Sequence, residues 1–179
     1  MAEFLWIFWS FSLLGWVLER LFAAVTRSPR RRRRCLLLLP LCPVYGLGMA
    51  AVLALPPSLR SGWPLYLWGG LTATSVEYIY HWWGETFLGV SFWDYTGVFG
   101  NFRGRVCLPF SLAWGLLLFP AVYLVTPPVL ALADRVPVGV TWWLLLAFTA
   151  DAVCSLRFLA VTHDLEALRA AVWPVSGDR

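Results

Sequence analysis

Residues Phe4–Val25 read FLWIFWSFSLLGWVLERLFAAV, an apolar run broken only near its end by Glu19 and Arg20. A helix over this stretch would be about 33 Å long at 1.5 Å per residue. That length crosses the roughly 30 Å hydrocarbon layer of a bilayer. No basic stretch precedes the run and no small-residue cleavage site follows it, so it reads as a retained helix and not as a signal peptide. Four further runs qualify in the same way: Cys35–Leu55, Pro64–Trp83, Val106–Val125 and Val140–Ala160.

The expected fold is therefore all-α: a polytopic membrane helix bundle of about five transmembrane helices. One bundle domain would cover residues 1–160, and residues 161–179 would form a short cytoplasmic interfacial tail. In that tail Leu165, Leu168 and Val172 recur at helical spacing with Asp164, Glu166 and Arg169 between them. Thr86–Phe102 is aromatic but too short to cross, and is expected to form a re-entrant or interfacial loop between the third and fourth spans.

Composition agrees. Hydrophobic residues make up 60% of the chain and charged residues 13%, against about half and about a quarter in soluble domains. This excludes disorder, a disulfide scaffold and an ordinary soluble enzyme. Cys35, Cys42, Cys107 and Cys154 have no CxxC spacing, and read as small apolar fillers and not as a zinc site. All fourteen basic residues are Arg. Without Lys there is neither a Walker A phosphate loop nor a Schiff-base residue for pyridoxal phosphate. No cofactor, metal or catalytic residue is assigned, and no ATPase activity of its own is expected.

The net charge of +4 has an address, because six Arg fall between Arg27 and Arg34. Beside apolar spans such a block is a topology signal, and no nucleic-acid partner is needed to explain it. Arg103, Arg105, Arg157, Arg169 and Arg179 fall on the same side, while only Arg60 and Arg135 oppose them. The expected location is a multi-pass plasma membrane, of the bacterial inner-membrane type, with the N-terminus outside and the C-terminus cytoplasmic. Arg20 would snorkel to the cytoplasmic surface.

Ionisable groups inside spans are costly and are candidates for function. In the first span Ser12, Gly15, Trp16 and Glu19 share a face. In the third, Gly70, Thr74 and Glu77 do so, followed by His81 and Glu85 at four-residue steps. This ladder suits an interhelical polar seam, a proton or ion path, or a metal site. The fifth span carries Asp151 near Cys154 and Ser155, with Arg20, Arg103, Arg105 or a Tyr or Trp donor as possible partners. These groups all fall in the cytoplasmic half of their spans, as a polar cavity open to the cytoplasm would require. Pro40, Pro43, Gly46 and Gly48 mark the second span as a broken helix, lining that cavity or kinked for packing. In the loop, Arg103 or Arg105 is expected to fold back onto Asp94, making a packed interfacial loop or a cap over the cavity.

Several stretches together carry a family signal: Leu14-Gly15-Trp16-Val17-Leu18-Glu19; Cys42-Pro43-Val44-Tyr45-Gly46; Glu77-Tyr78 with Glu85; Trp93-Asp94-Tyr95; Asn101-Phe102-Arg103-Gly104-Arg105; and Trp114-Gly115. In order and spacing they resemble the putative type IV ABC-transporter family, small CmpB-like permease-related membrane proteins. The resemblance implies about five helices and a transport role. It brings forward Gly15, Trp16, Glu19, Pro43, Tyr45, Gly46, Glu77, Tyr78, Glu85, Trp93, Asp94, Tyr95, Asn101, Gly104 and Arg105 as motif positions. His81 and Asp151 join them from the reading of the spans. The chain departs from the family around Arg33-Arg34-Cys35-Leu36-Leu37 and Leu39-Pro40, where two glycines are missing.

The function expected is that of a permease-like transport component acting on an unidentified small molecule or lipid. Its partners would be the lipid bilayer and a separate ATPase subunit or a second copy of itself. Two alternatives stay open: a membrane scaffold or lipid-binding subunit, and an intramembrane lipid-modifying enzyme using Glu77 or Asp94 with Arg105.

Overall fold

The computed structural model describes residues 1–26 and 35–170, so the Arg27–Arg34 block and the end of the tail lie outside the described residues. Helix α1 (Ala2–Thr26) is the first span, as expected. The second expected span, Cys35–Leu55, is a helix only in part. Residues 35–42 are non-helical, and α2 (Pro43–Leu53) has 11 residues. That is about 16 Å of helix, half a bilayer. The cause is local: proline disfavours helical geometry in the residue before it, and Pro40 and Pro43 act on Leu39 and Cys42. Cys42 is extended, with φ −115° and ψ 90°, and Pro43 opens α2, where its missing N–H is not needed.

A rod over residues 62–88 follows, with α3 (Gly70–Trp83) as its body and wider π turns at Leu65–Gly69 and Gly84–Leu88. Gly89 ends it in the left-handed region at φ 67°. Residues 89–107 then form an irregular loop closed by a two-residue hairpin, in which Asn101–Phe102 pair antiparallel with Val106–Cys107. The loop turns back on the rod instead of crossing away: the Trp93 ring stacks parallel to Tyr80 at 6.3 Å and meets His81 edge-on at 4.8 Å.

Helix α4 (Leu108–Pro120) continues through a π turn, Ala121–Val125, into α5 (Thr126–Arg135). The π turn begins after Pro120, whose ring cannot sit under a regular i−4 bond. Helix α6 (Val138–Thr162) and a short α7 (Leu165–Ala170) complete the order. Among the described residues three helices are long and apolar enough to cross a membrane: Ala2–Val25, Leu108–Arg135 and Val138–Thr162. The 62–88 rod has the length but carries Glu77, His81 and Glu85 along it.

Two packed cores hold these elements. One gathers Cys35, Leu37, Cys42, Phe92, Cys107 and Leu159, so three of the four cysteines do fill apolar space; the other gathers Ile7, Phe11, Met49, Val52, Leu65 and Leu118. Glycine permits the tightest crossing. A Cβ on Gly15 would overlap the Tyr45 ring, and one on Gly46 would overlap the Phe8 carbonyl. The crossing of α1 and α2 is therefore a close approach of backbones, as small residues allow in membranes.

Candidate functional site

Glu77 sits in the body of α3 and is 2% exposed. A carboxylate removed from water needs donors, and two arrive from distant elements. The Trp114 Nε1–H of α4 donates to Oε2 at 2.8 Å, and the Tyr95 hydroxyl of the loop donates to Oε1 at 3.1 Å. On the other side of Trp114, Tyr45 of α2 meets its ring edge-on at 5.3 Å and donates its hydroxyl to Glu19 of α1. Glu19, Tyr45, Trp114, Glu77 and Tyr95 thus form one connected chain drawn from four helices and the loop. Trp114 was not among the residues singled out from the spans. The signals available in sequence were its place in the Trp114-Gly115 motif stretch and the need of a buried indole N–H for an acceptor.

Two cavities flank this chain. The larger, about 340 Å³, lies among α1, α2, α3 and α4; Phe11, Leu14, Met49 and Leu118 wall it, with Glu77 and Tyr45. The smaller, about 230 Å³, is lined by Glu19, Tyr45, Trp93, Asp94, Tyr95 and Phe110 among others. Leu18, Tyr45, Trp114 and Leu117 belong to both walls. The expected polar cavity is in fact apolar and aromatic, with carboxylates set into its wall. The helices turn Leu, Val and Met toward it, and hydroxyl and indole donors engage the acids.

His81, Glu85 and Arg105 form a separate cluster. His81 Nε2 lies 3.1 Å from Glu85 Oε1, and Arg105 donates from Nε to Glu85 Oε2 at 2.7 Å and from a terminal nitrogen to the Tyr78 hydroxyl at 2.9 Å. Pairing with Glu85 raises the pKa of the Arg105 guanidinium further. Ser91 Oγ is 3.3 Å from His81 Nε2 and donates to the Trp93 carbonyl, while Trp93 Nε1–H donates to the Arg105 carbonyl at 2.7 Å. The Glu77–His81–Glu85 ladder therefore serves two places: its lower two members clamp the loop, and Glu77 takes donors at the cavities. Among the described residues no group of three His, Cys, Asp or Glu side chains is placed to hold a metal ion.

The expected return of Arg103 or Arg105 onto Asp94 is replaced by other contacts. Arg105 turns to Glu85, Arg103 lies over the Phe102 ring at 5.7 Å, and Asp94 accepts the Thr96 N–H at 2.8 Å. Hydrogen bonds from Thr96 hold the Asp94 carboxyl below the usual carboxylate range. Gly104, at φ 67°, completes this turn: a Cβ there would stand 3.1 Å from Asp94 Oδ1 and 2.9 Å from Thr96 Oγ1. Asn101 bridges the hairpin, donating to the Val98 carbonyl at 3.0 Å.

Asp151 is also placed differently from expectation. It lines neither cavity. Its two oxygens accept the backbone N–H groups of Leu38 at 3.1 Å and Leu39 at 2.9 Å, and Ser155 donates to it at 2.9 Å. Cys42 N–H donates to the Ser12 carbonyl at 2.9 Å. Non-helical backbone at membrane depth requires such substitutes, and Asp151 supplies two of them. Pro43 opens α2, Gly15 and Gly46 set its crossing, and Trp16 lies under Arg20 at 4.9 Å.

Comparison with curated proteins and comparison with solved structures each gave no match. A family model does match. It runs over residues 6–156, from the first turns of α1 into the second half of α6, and so takes in both cavities and the loop clamp. The chain belongs to the family described as Putative ABC-transporter type IV.

Proposed function

We propose that this protein is the permease-like membrane component of a transport system, with its paired cavities open to the cytoplasm and its ATP-driven step residing in a separate ATPase subunit. The observation that carries this reading is the pair of carboxylates, Glu19 and Glu77, set in adjoining cavities on either side of the Tyr45–Trp114 contact. Acids within a membrane bundle mark substrate and ion paths. The absence of Lys removes a Walker A loop from this chain. The Arg distribution supports an orientation with the N-terminus outside and the C-terminus in the cytoplasm.

The test has two arms. The tagged chain is purified from its host's membranes in a gentle detergent, and uptake is compared between host cells with and without the gene. An ATPase that co-purifies, and a transport defect restored by the wild-type chain but not by Glu77→Gln at equal protein level, support the proposal. Absence of both overturns it. A scaffold reading is favoured by one observation, that both Glu77 oxygens already accept hydrogen bonds. Under it, Glu77→Gln lowers stability and leaves transport per folded molecule unchanged.

A further inference from the structure

The wall of the larger cavity has two grades of exposure. Leu14, Val17 and Leu21 of α1 and Leu117 of α4 line it and are exposed, whereas Val44 and Met49 of α2 line it and are buried. The exposed set is a mouth between α1 and α4, and the buried set is its floor. Both helices of the mouth lie in segments long and apolar enough to cross a membrane, so in a bilayer it opens onto lipid chains and not onto water. At one end of the wedge α5 packs against α1. At the other, the contact of Tyr45 with Trp114 and its bond to Glu19 cross it. The opening is therefore a lateral window.

Gly48 of α2 shows that the floor holds room. It is buried and lines the cavity, yet a Cβ built on it would meet nothing within 4 Å. Protein interiors are close-packed, and glycine inside a helix is weaker than alanine; here it leaves space where a side chain would fit. Water does not suit that space. The Glu77 oxygens and the Tyr45 hydroxyl at the wall already have partners, and the rest is mainly hydrocarbon. Apolar cavities of about 150 Å³ stay dry and take up benzene; this one is about 340 Å³. An empty space of that size forfeits the dispersion contacts of its whole wall. A chain sliding in from the bilayer restores them without crossing water, and packing of this kind is what drives association within lipid.

We propose that the larger cavity seats one linear hydrocarbon chain of a membrane amphiphile, which enters sideways from the bilayer between α1 and α4. This deepens the permease reading by giving the transport path a lateral entrance. It rests on that reading only for the claim that the amphiphile is substrate; the chain site itself stands on the geometry.

The experiment is photolabelling of the full chain in nanodiscs of dioleoyl phosphatidylcholine. One probe is palmitic acid with a diazirine at the end of its chain, and the other is a phosphatidylcholine carrying that same chain. Labelled positions are mapped by peptide mass spectrometry. Val153, 53% exposed on α6, reports ordinary contact with bulk lipid; Leu159, 0% exposed and outside both cavities, sets the background. Met49 is 3% exposed, and its labelling is expected to stand well above that of Leu159 and near that of Val153. Gly48→Phe should fill the floor, lower Met49 labelling by about tenfold and leave Val153 unchanged. If that variant fails to fold, as judged by its helical circular dichroism, Gly48→Leu replaces it, and the wild-type contrast of Met49 with Leu159 decides in either case. Labelling of Met49 by the fatty acid alone assigns the chain to a free single-chain amphiphile; labelling by the phosphatidylcholine, alone or as well, assigns it to a bilayer phospholipid. Met49 at the Leu159 background, or unchanged Met49 labelling in a folded variant, overturns the proposal. So does a dimer mass in the nanodiscs with Met49 at background, which means that a second copy seals the mouth. Met49 labelling without a transport defect on gene loss leaves this site standing and removes the permease reading. A transport defect with Met49 at background does the reverse.

Discussion

Replacing Trp114 by Phe isolates the hydrogen bond that anchors Glu77. The substitution keeps an aromatic ring against Tyr45, now 5.3 Å away edge-on, and removes the Nε1–H that reaches Glu77 Oε2 at 2.8 Å. A hydrogen bond to a charged group contributes about 1.5–3 kcal/mol in soluble proteins. Interhelical bonds within membranes average nearer 0.6 kcal/mol, with a maximum of about 1.7, because the unfolded helices also find partners. Glu77 is 2% exposed and keeps Tyr95 as a donor. The expected loss therefore lies near the overlap of the two ranges, at about 1.5–2 kcal/mol. That is roughly a tenfold to thirtyfold change in the unfolding equilibrium. The assay is reversible unfolding in mixed detergent micelles followed by helical circular dichroism. Trp143→Phe serves as the control, since Trp143 is 73% exposed on α6 and its change should lie within about 0.5 kcal/mol of zero. A Trp114→Phe effect no larger than the control would refute the claim that this donor holds a buried carboxylate.

Three further outcomes follow from the same contacts. Gly15→Ala should destabilise by about 1–3 kcal/mol, because the added methyl overlaps the root of the Tyr45 side chain; Gly48→Ala, which meets nothing within 4 Å, should be neutral or slightly stabilising. Asp151→Ala should expose the Leu38 and Leu39 amides to faster hydrogen exchange and cost about 1–3 kcal/mol, with Asp151→Asn recovering part of it through its single amide oxygen. The folded-state pKa of Asp94 is depressed, so its contribution to the loop is complete above the unfolded value of 3.8 and is lost as pH falls through the lower folded value. Amide exchange at Thr96 should accelerate over that acid range, and Asp94→Asn should abolish the dependence.

The helical bundle and its first and last membrane-length helices were legible in one dimension, as was the placing of Glu19 and Glu77 within helices. Apolar run length and in-span acids are properties of single segments, and insertion into lipid reads them segment by segment. The break in the second span was legible too, since Pro40 and Pro43 act on adjacent residues. Its depth was not, because how far a chain can remain non-helical depends on what satisfies its amides. That answer lies in Asp151, 112 and 113 residues away from Leu39 and Leu38.

The same division runs through the site. Sequence alone determined that Glu77 needs a partner, from the cost of a carboxylate in hydrocarbon. Only the tertiary structure decided that Glu77 takes Trp114, 37 residues on, and Tyr95 as donors, while on the same rod Glu85 takes both His81 and Arg105. Periodicity fixes which face of a helix a residue occupies, but the rotation of that face toward a neighbour is set by packing. Here the close crossing at Gly15 and Gly46 and the folded loop set that rotation. They turn an expected polar cavity into an aromatic one with acids in its wall.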